Sequence, residues 1–121
     1  MHAWLRRLRH DLLKPALWVA RDLREVGRAP TPADREALRQ SLLDLRDERG
    51  APVTAPVLWA ALRASAPADL PPAALDRFER VLLAAVTAVE GPAAPAALTA
   101  VLRLEPAFDE LAQLLEPLCR K

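Results

Sequence analysis

The sequence predicts an all-α fold, a compact single-domain bundle of five or six short-to-medium helices spanning residues 1–121. Three observations predict it. Apolar residues make up 52% of the chain but aromatic ones only 4%, so the core must be built from leucine, alanine and valine, which favour helix over sheet. Apolar positions recur at spacings of three and four along most of the chain. The prolines and glycines fall largely at the ends of those patterns, where proline opens a helix and glycine closes one.

The first helix is expected from about Ala3 to Val26, with Gly27 as its stop. Leu5, Leu8, Leu12, Ala16, Val19, Leu23 and Val26 form its core stripe when placed at about 100° per residue. Pro15 lies inside the pattern and should remove one backbone hydrogen bond and kink or split the helix. Thr31-Pro32-Ala33-Asp34 is an N-cap followed by a first-turn proline and an acidic residue, opening a second helix to about Arg49 with Gly50 as stop. Leu38, Leu42 and Leu45 form its narrow stripe. Thr54-Ala55-Pro56 starts a short third helix carrying Leu58, Trp59 and Leu62.

Pro71-Pro72 opens the fourth helix, which ends at Gly91 and, with apolar residues over a wide arc from Leu75 to Val89, is the candidate central element. Pro95 opens the fifth. The sixth begins near Pro106 with Phe108, Leu111, Ala112, Leu115, Leu118 and Cys119 on one face. Ala51-Pro52-Val53-Thr54 is the one segment resembling a strand, and it is too short to be expected as one. No internal repeat stands out.

Composition narrows the function. Seventeen basic and sixteen acidic side chains leave a net charge of +1, so no bulk attraction to nucleic acid or acidic membranes follows. Lys14 and Lys121 are the only lysines. With the abundance of alanine, leucine and proline, this arginine bias suggests a GC-rich bacterial genome. The lone Cys119 offers no internal disulfide, and the longest apolar run, 81–89, is far below the about twenty residues of a membrane span. No signal-type apolar stretch follows Arg6-Arg7-Leu8-Arg9, so a cytoplasmic protein without a membrane partner is expected.

Catalytic and metal constellations are not found. His2, His10 and Cys119 lack the spacing of a zinc site, and Ser41 and Ser65 lack a glycine-flanked elbow. Asp34, Glu36, Asp44, Asp47 and Glu48 sit among Arg35, Arg39, Arg46 and Arg49, a pattern expected to pair locally on a solvated face. Cys119 falls on an apolar stripe, where packing is the expected role. No cofactor is expected, and the chain is read as non-enzymatic.

The outer face of the first helix is the candidate site. On a regular wheel Leu13 and Leu17 project away from the core stripe, in the company of His10, Arg6 and Arg24, with Trp18 well to one side. Two leucines on that side mean either that the helix is sandwiched between two layers or that the face meets another chain. Trp4 and Trp59 are expected to be buried, whereas the wheel leaves Trp18 undecided. The function that follows is protein–protein interaction, by an adaptor, a regulator or an oligomerising subunit, with another protein or a second copy as partner.

His10-Asp11-Leu12-Leu13-Lys14-Pro15 also resembles the phosphoacceptor box of sensor histidine kinases, which has a histidine, then an acidic residue, a leucine and a proline five residues after the histidine. The resemblance implies a phosphotransfer module, with His10 as nucleophile and Asp11 assisting proton transfer. It spans six residues, and three scattered glycines do not supply the ATP-binding loops of that family. DNA binding is a third reading, disfavoured because Arg6, Arg7 and Arg9 fan out around the helix instead of forming one stripe.

Overall fold

The computed structural model describes residues 2–116, and its architecture is all-α. The first helix runs without a break from α1 (Ala3–Arg7) through a π-helix (Leu8–Leu13) into α2 (Lys14–Val26). Gly27 ends it at φ 77°, a left-handed conformation that favours glycine. Helix α3 (Pro32–Leu43) starts on a capping box: the Thr31 hydroxyl accepts from the Asp34 N–H, and the Asp34 carboxylate accepts from the Thr31 N–H.

Helix α4 (Ala55–Ala64) begins one residue before Pro56, and α5 (Pro72–Glu90) follows the paired prolines. Helices α6 (Ala94–Leu102) and α7 (Leu104–Leu115) meet at Arg103, so α7 starts slightly earlier than the Pro106 signal suggested. Helix α5 packs on α3, α4, α6 and α7 and is the central element, as its wide apolar arc predicts.

The buried residues, Ala94 apart, form one cluster drawing on every helix. Trp59 lies at its aromatic centre, 4.7 Å from Phe78 and 6.3 Å from Trp4 between ring centroids. Both tryptophans are buried, as expected, and each satisfies its indole N–H. Trp4 donates to the Leu62 carbonyl at 2.8 Å and Trp59 to the Glu79 carboxylate at 2.9 Å. No helix among the described residues is long and apolar enough to cross a membrane.

Three expectations are corrected. Helix α3 ends at Leu43 rather than near Arg49, and Leu45–Arg46 (β1) pairs antiparallel with Pro52–Val53 (β2). Asp47 accepts from the Arg49 and Ala51 N–H groups, and Gly50 at φ 78° closes the turn, so the signals taken for a helix end belong to a hairpin. The carboxylates of this region also pair farther away than expected: Asp34 with Arg28 at 2.6 Å and Glu48 with Arg7 at 2.5 Å, whereas Glu36 and Arg39 do pair locally. The positions of Leu118 and Cys119 lie outside the described residues.

The third correction concerns the first helix. Leu13 and Leu17, expected on the outside, are 0% and 3% exposed, while Val26, expected in the core stripe, is 58% exposed. The cause is the π-helix. Its i to i+5 hydrogen bonds, continued by the Lys14 N–H to the Arg9 carbonyl, take about one extra residue into the turn. Residues beyond are set back by about one position, so a wheel drawn with a constant step misplaces Leu13, Leu17 and Val26, while Ala16 is buried and Val19 and Leu23 pack against the core as expected. Leu5, Leu8 and Leu12 face the core before the wide turn, and Leu13, Leu17 and Ala20 face it afterwards. Pro15 follows two residues later, at the start of α2, and a widened turn just before a proline gives its ring room that a regular helix does not. The π segment packs on α4, α7 and β1, and α2 packs on α3 and α6, so the chain's own elements cover the side that carries Leu13 and Leu17.

Candidate interaction surface

With Leu13 enclosed, the outer face of the first helix consists of a smaller set of side chains. Trp18 is its apolar centre at 63% exposure, the highest of any large hydrophobic residue described. The difference from Trp4 and Trp59 is one of register, because Trp18 follows Leu17 round the helix after the π turn and lands outside the packed arc. The Lys14 ammonium sits 6.0 Å from its ring centroid, one helical turn earlier.

A shallow groove of about 450 Å³ runs along this face. Arg9, His10 and Lys14 line its N-terminal half, Trp18 its middle, and Asp22 and Glu25 its C-terminal half. Leu17 contributes a buried floor. The groove is therefore basic at one end, aromatic in the middle and acidic at the other. Arg21, also on the wall, donates to Glu105 at 2.5 and 3.2 Å and ties α2 to the start of α7. That hydrogen bond holds the Glu105 carboxyl below its ordinary range and pushes the Arg21 guanidinium up.

The structure brings together some of the residues named from sequence and separates others. His10, Leu17 and Trp18 share the groove. Leu13 is in the core. Arg6 and Arg24 are exposed but do not line it. Asp11 turns to another side, where it comes within 4.0 Å of Arg7 and lines a separate depression with Arg46 and Glu48. The arginines near the N-terminus diverge as the wheel indicated, with Arg7 on Glu48 and Arg9 over the Phe108 ring at 5.4 Å.

A second surface was not visible in the sequence. Arg77, Arg80 and Arg103 flank grooves of about 480 and 180 Å³ between α5 and the α6–α7 junction, over Val81, Ala84 and Ala100. Glu110 neutralises Arg77 at 2.6 Å. The i, i+3 spacing of Arg77 and Arg80 was the only local signal, since Arg103 joins them through the fold alone. Among the described residues no group of three His, Cys, Asp or Glu side chains is placed to hold a metal ion.

No protein-family model, curated protein or solved structure significantly matches this chain.

Proposed function

We propose that the protein is a non-enzymatic docking module whose contact face is the outer side of the first helix, centred on Trp18. The observation that carries this reading is the exposure of Trp18 beside a groove, in a chain whose other two tryptophans are buried and hydrogen-bonded. An indole offers about 150–250 Å² of contact, so covering the exposed part of Trp18 is worth about 3 kcal/mol at about 25 cal/mol per Å². Tryptophan at the centre of a charged rim is a common anchor in protein interfaces. Of the two leucines first assigned to this surface, Leu13 lies in the core and Leu17 gives the groove only its buried floor, so the reading rests on Trp18 and the charges around it.

The test is photo-crosslinking in cells that express the protein, from an unnatural residue at position 18 and, as control, at the exposed Val57 on α4. A discrete adduct from position 18 that is absent from position 57 is expected. If both positions give the same diffuse background, the face has no dedicated partner.

A second reading is histidine phosphotransfer at His10, favoured by the exposure of its imidazole in the groove. The imidazole nitrogen would attack a phosphoryl donor such as phosphoramidate, forming a P–N bond as the donor's P–N bond breaks and ammonia leaves. Asp11 faces Arg7 on another side and offers that step little help. Incubation with phosphoramidate should give an acid-labile phosphate that His10→Gln lacks. Equal labelling of the two proteins rejects this reading.

A further inference from the structure

Resting on the docking reading, we infer that the occupant of the Trp18 face is a second copy of this chain, packed antiparallel about a two-fold axis through Trp18. The charge order along the helix carries the inference. Lys14 lies four residues before Trp18 and Asp22 four residues after it, with Arg9 and His10 beyond one and Glu25 beyond the other. All three side chains are exposed and none forms a salt bridge among the described residues: Lys14 rests over the Trp18 ring, and Glu25 lies within the field of Arg21, which is itself bound to Glu105.

A two-fold axis makes an interface self-complementary, so that if one residue meets another, the reverse contact also forms. Two antiparallel copies centred on Trp18 place Lys14 of each against Asp22 of the other, on both sides of the paired indoles. Glu25 then reaches toward Arg9 and His10 of the second copy, and the exposed Val26 lies beside that histidine. Parallel packing would instead set Lys14 against Lys14 and Asp22 against Asp22. Like charges disfavour that arrangement, so the charge order selects the antiparallel one. One face of one helix is a small contact, and the dimer belongs among weak, concentration-dependent associations.

Sedimentation and diffusion NMR of the whole chain test this. Dimer is expected at roughly 0.1–1 mM and monomer at low micromolar, the range appropriate to a contact below the standard size. Lys14→Glu alone and Asp22→Lys alone should each remain monomeric across this range, with unchanged helical circular dichroism because both positions are exposed. Mixed in equal amounts the two variants should associate again, since each then meets the opposite charge at both ends. A parent that stays monomeric at about 1 mM overturns the inference. So does a Lys14→Glu variant that dimerises like the parent, or a mixture that does not associate while the parent does. A monomeric parent that still crosslinks from position 18 to a different protein removes the dimer and leaves the docking reading standing. Absence of any specific adduct from position 18, both in cells and with the purified chain at about 1 mM, removes both.

Discussion

Leu12 and Leu13 are neighbours in one continuous helix, and both are 0% exposed. In a regular helix adjacent side chains diverge by about 100°, so a narrow core stripe does not hold both. Here Leu12 closes the stripe that begins at Leu5, and Leu13 opens the one that continues through Leu17. The extra residue between the two stripes is absorbed by the π turn over Leu8–Leu13.

That arrangement predicts how the chain responds to losing one residue. Deleting exposed His10 leaves Leu12 and Leu13 three and four residues after Leu8, which a regular helix accommodates on one face. It also leaves Pro15 inside a regular helix, at a penalty of about 3 kcal/mol. The deletion should therefore lower stability by about that amount, and adding Pro15→Ala should restore most of it. Denaturant unfolding measures both. Failure of Pro15→Ala to rescue the deletion would show that the π turn does not serve the proline.

Enclosure of Leu13 and Leu17 makes them core residues. Leu13→Ala and Leu17→Ala are each expected to lower stability by about 2–5 kcal/mol, the range for truncating a packed leucine. Losses below about 1 kcal/mol in urea titrations would return these side chains to the surface.

The Asp34 carboxyl is held at about 2, below the ordinary 3.8, first by the Arg28 hydrogen bond and then by the Thr31 N–H. A carboxyl depressed in the folded state stabilises above its unfolded value and loses that contribution as pH falls through its folded one. The cap of α3 should therefore weaken between 3.8 and about 2. Carboxyl-detected NMR titration reads the Asp34 midpoint directly, and Arg28→Ala should move it up toward the ordinary value. An unmoved midpoint would remove Arg28 as the main cause.

Arg21 and Glu105 are both more than a third exposed by side chain, at 39% and 35%, so water screens their attraction. Glu105→Gln should lower stability by no more than about 1 kcal/mol, and by less in high salt. Because the Glu105 carboxyl is depressed, its contribution is present above the ordinary carboxylate range and fades as the solution is acidified. A salt-independent loss well above that bound would point to packing of the side-chain stems instead.

Much of this was legible from residue order. The starts at Thr31-Pro32, Thr54-Ala55-Pro56 and Pro71-Pro72, the stop at Gly27 and the central place of α5 are local in origin, because caps, prolines and apolar spacing act within a turn or two of chain. The candidate site was half legible. His10 and Trp18 were singled out and lie together in one groove, whereas Leu13 and Leu17 were placed on the wrong side by assuming a constant helical step. The signal for the wide turn was present as two leucine patterns offset by one residue, followed closely by Pro15. It is recognisable once a five-residue spacing from Leu8 to Leu13 is allowed.

By itself, then, the order of residues determined an all-α chain, where most helices begin, and which tryptophan was in question. Tertiary structure decided that Leu13 and Leu17 face the core, that Asp47–Gly50 turns a hairpin instead of ending a helix, and that Arg77, Arg80 and Arg103 share one groove. The reason is one of range. Capping and periodicity are set by neighbours in the chain, but which side of a helix is buried depends on what packs against it, and packing of α3, α4, α6 and α7 is written across the whole sequence.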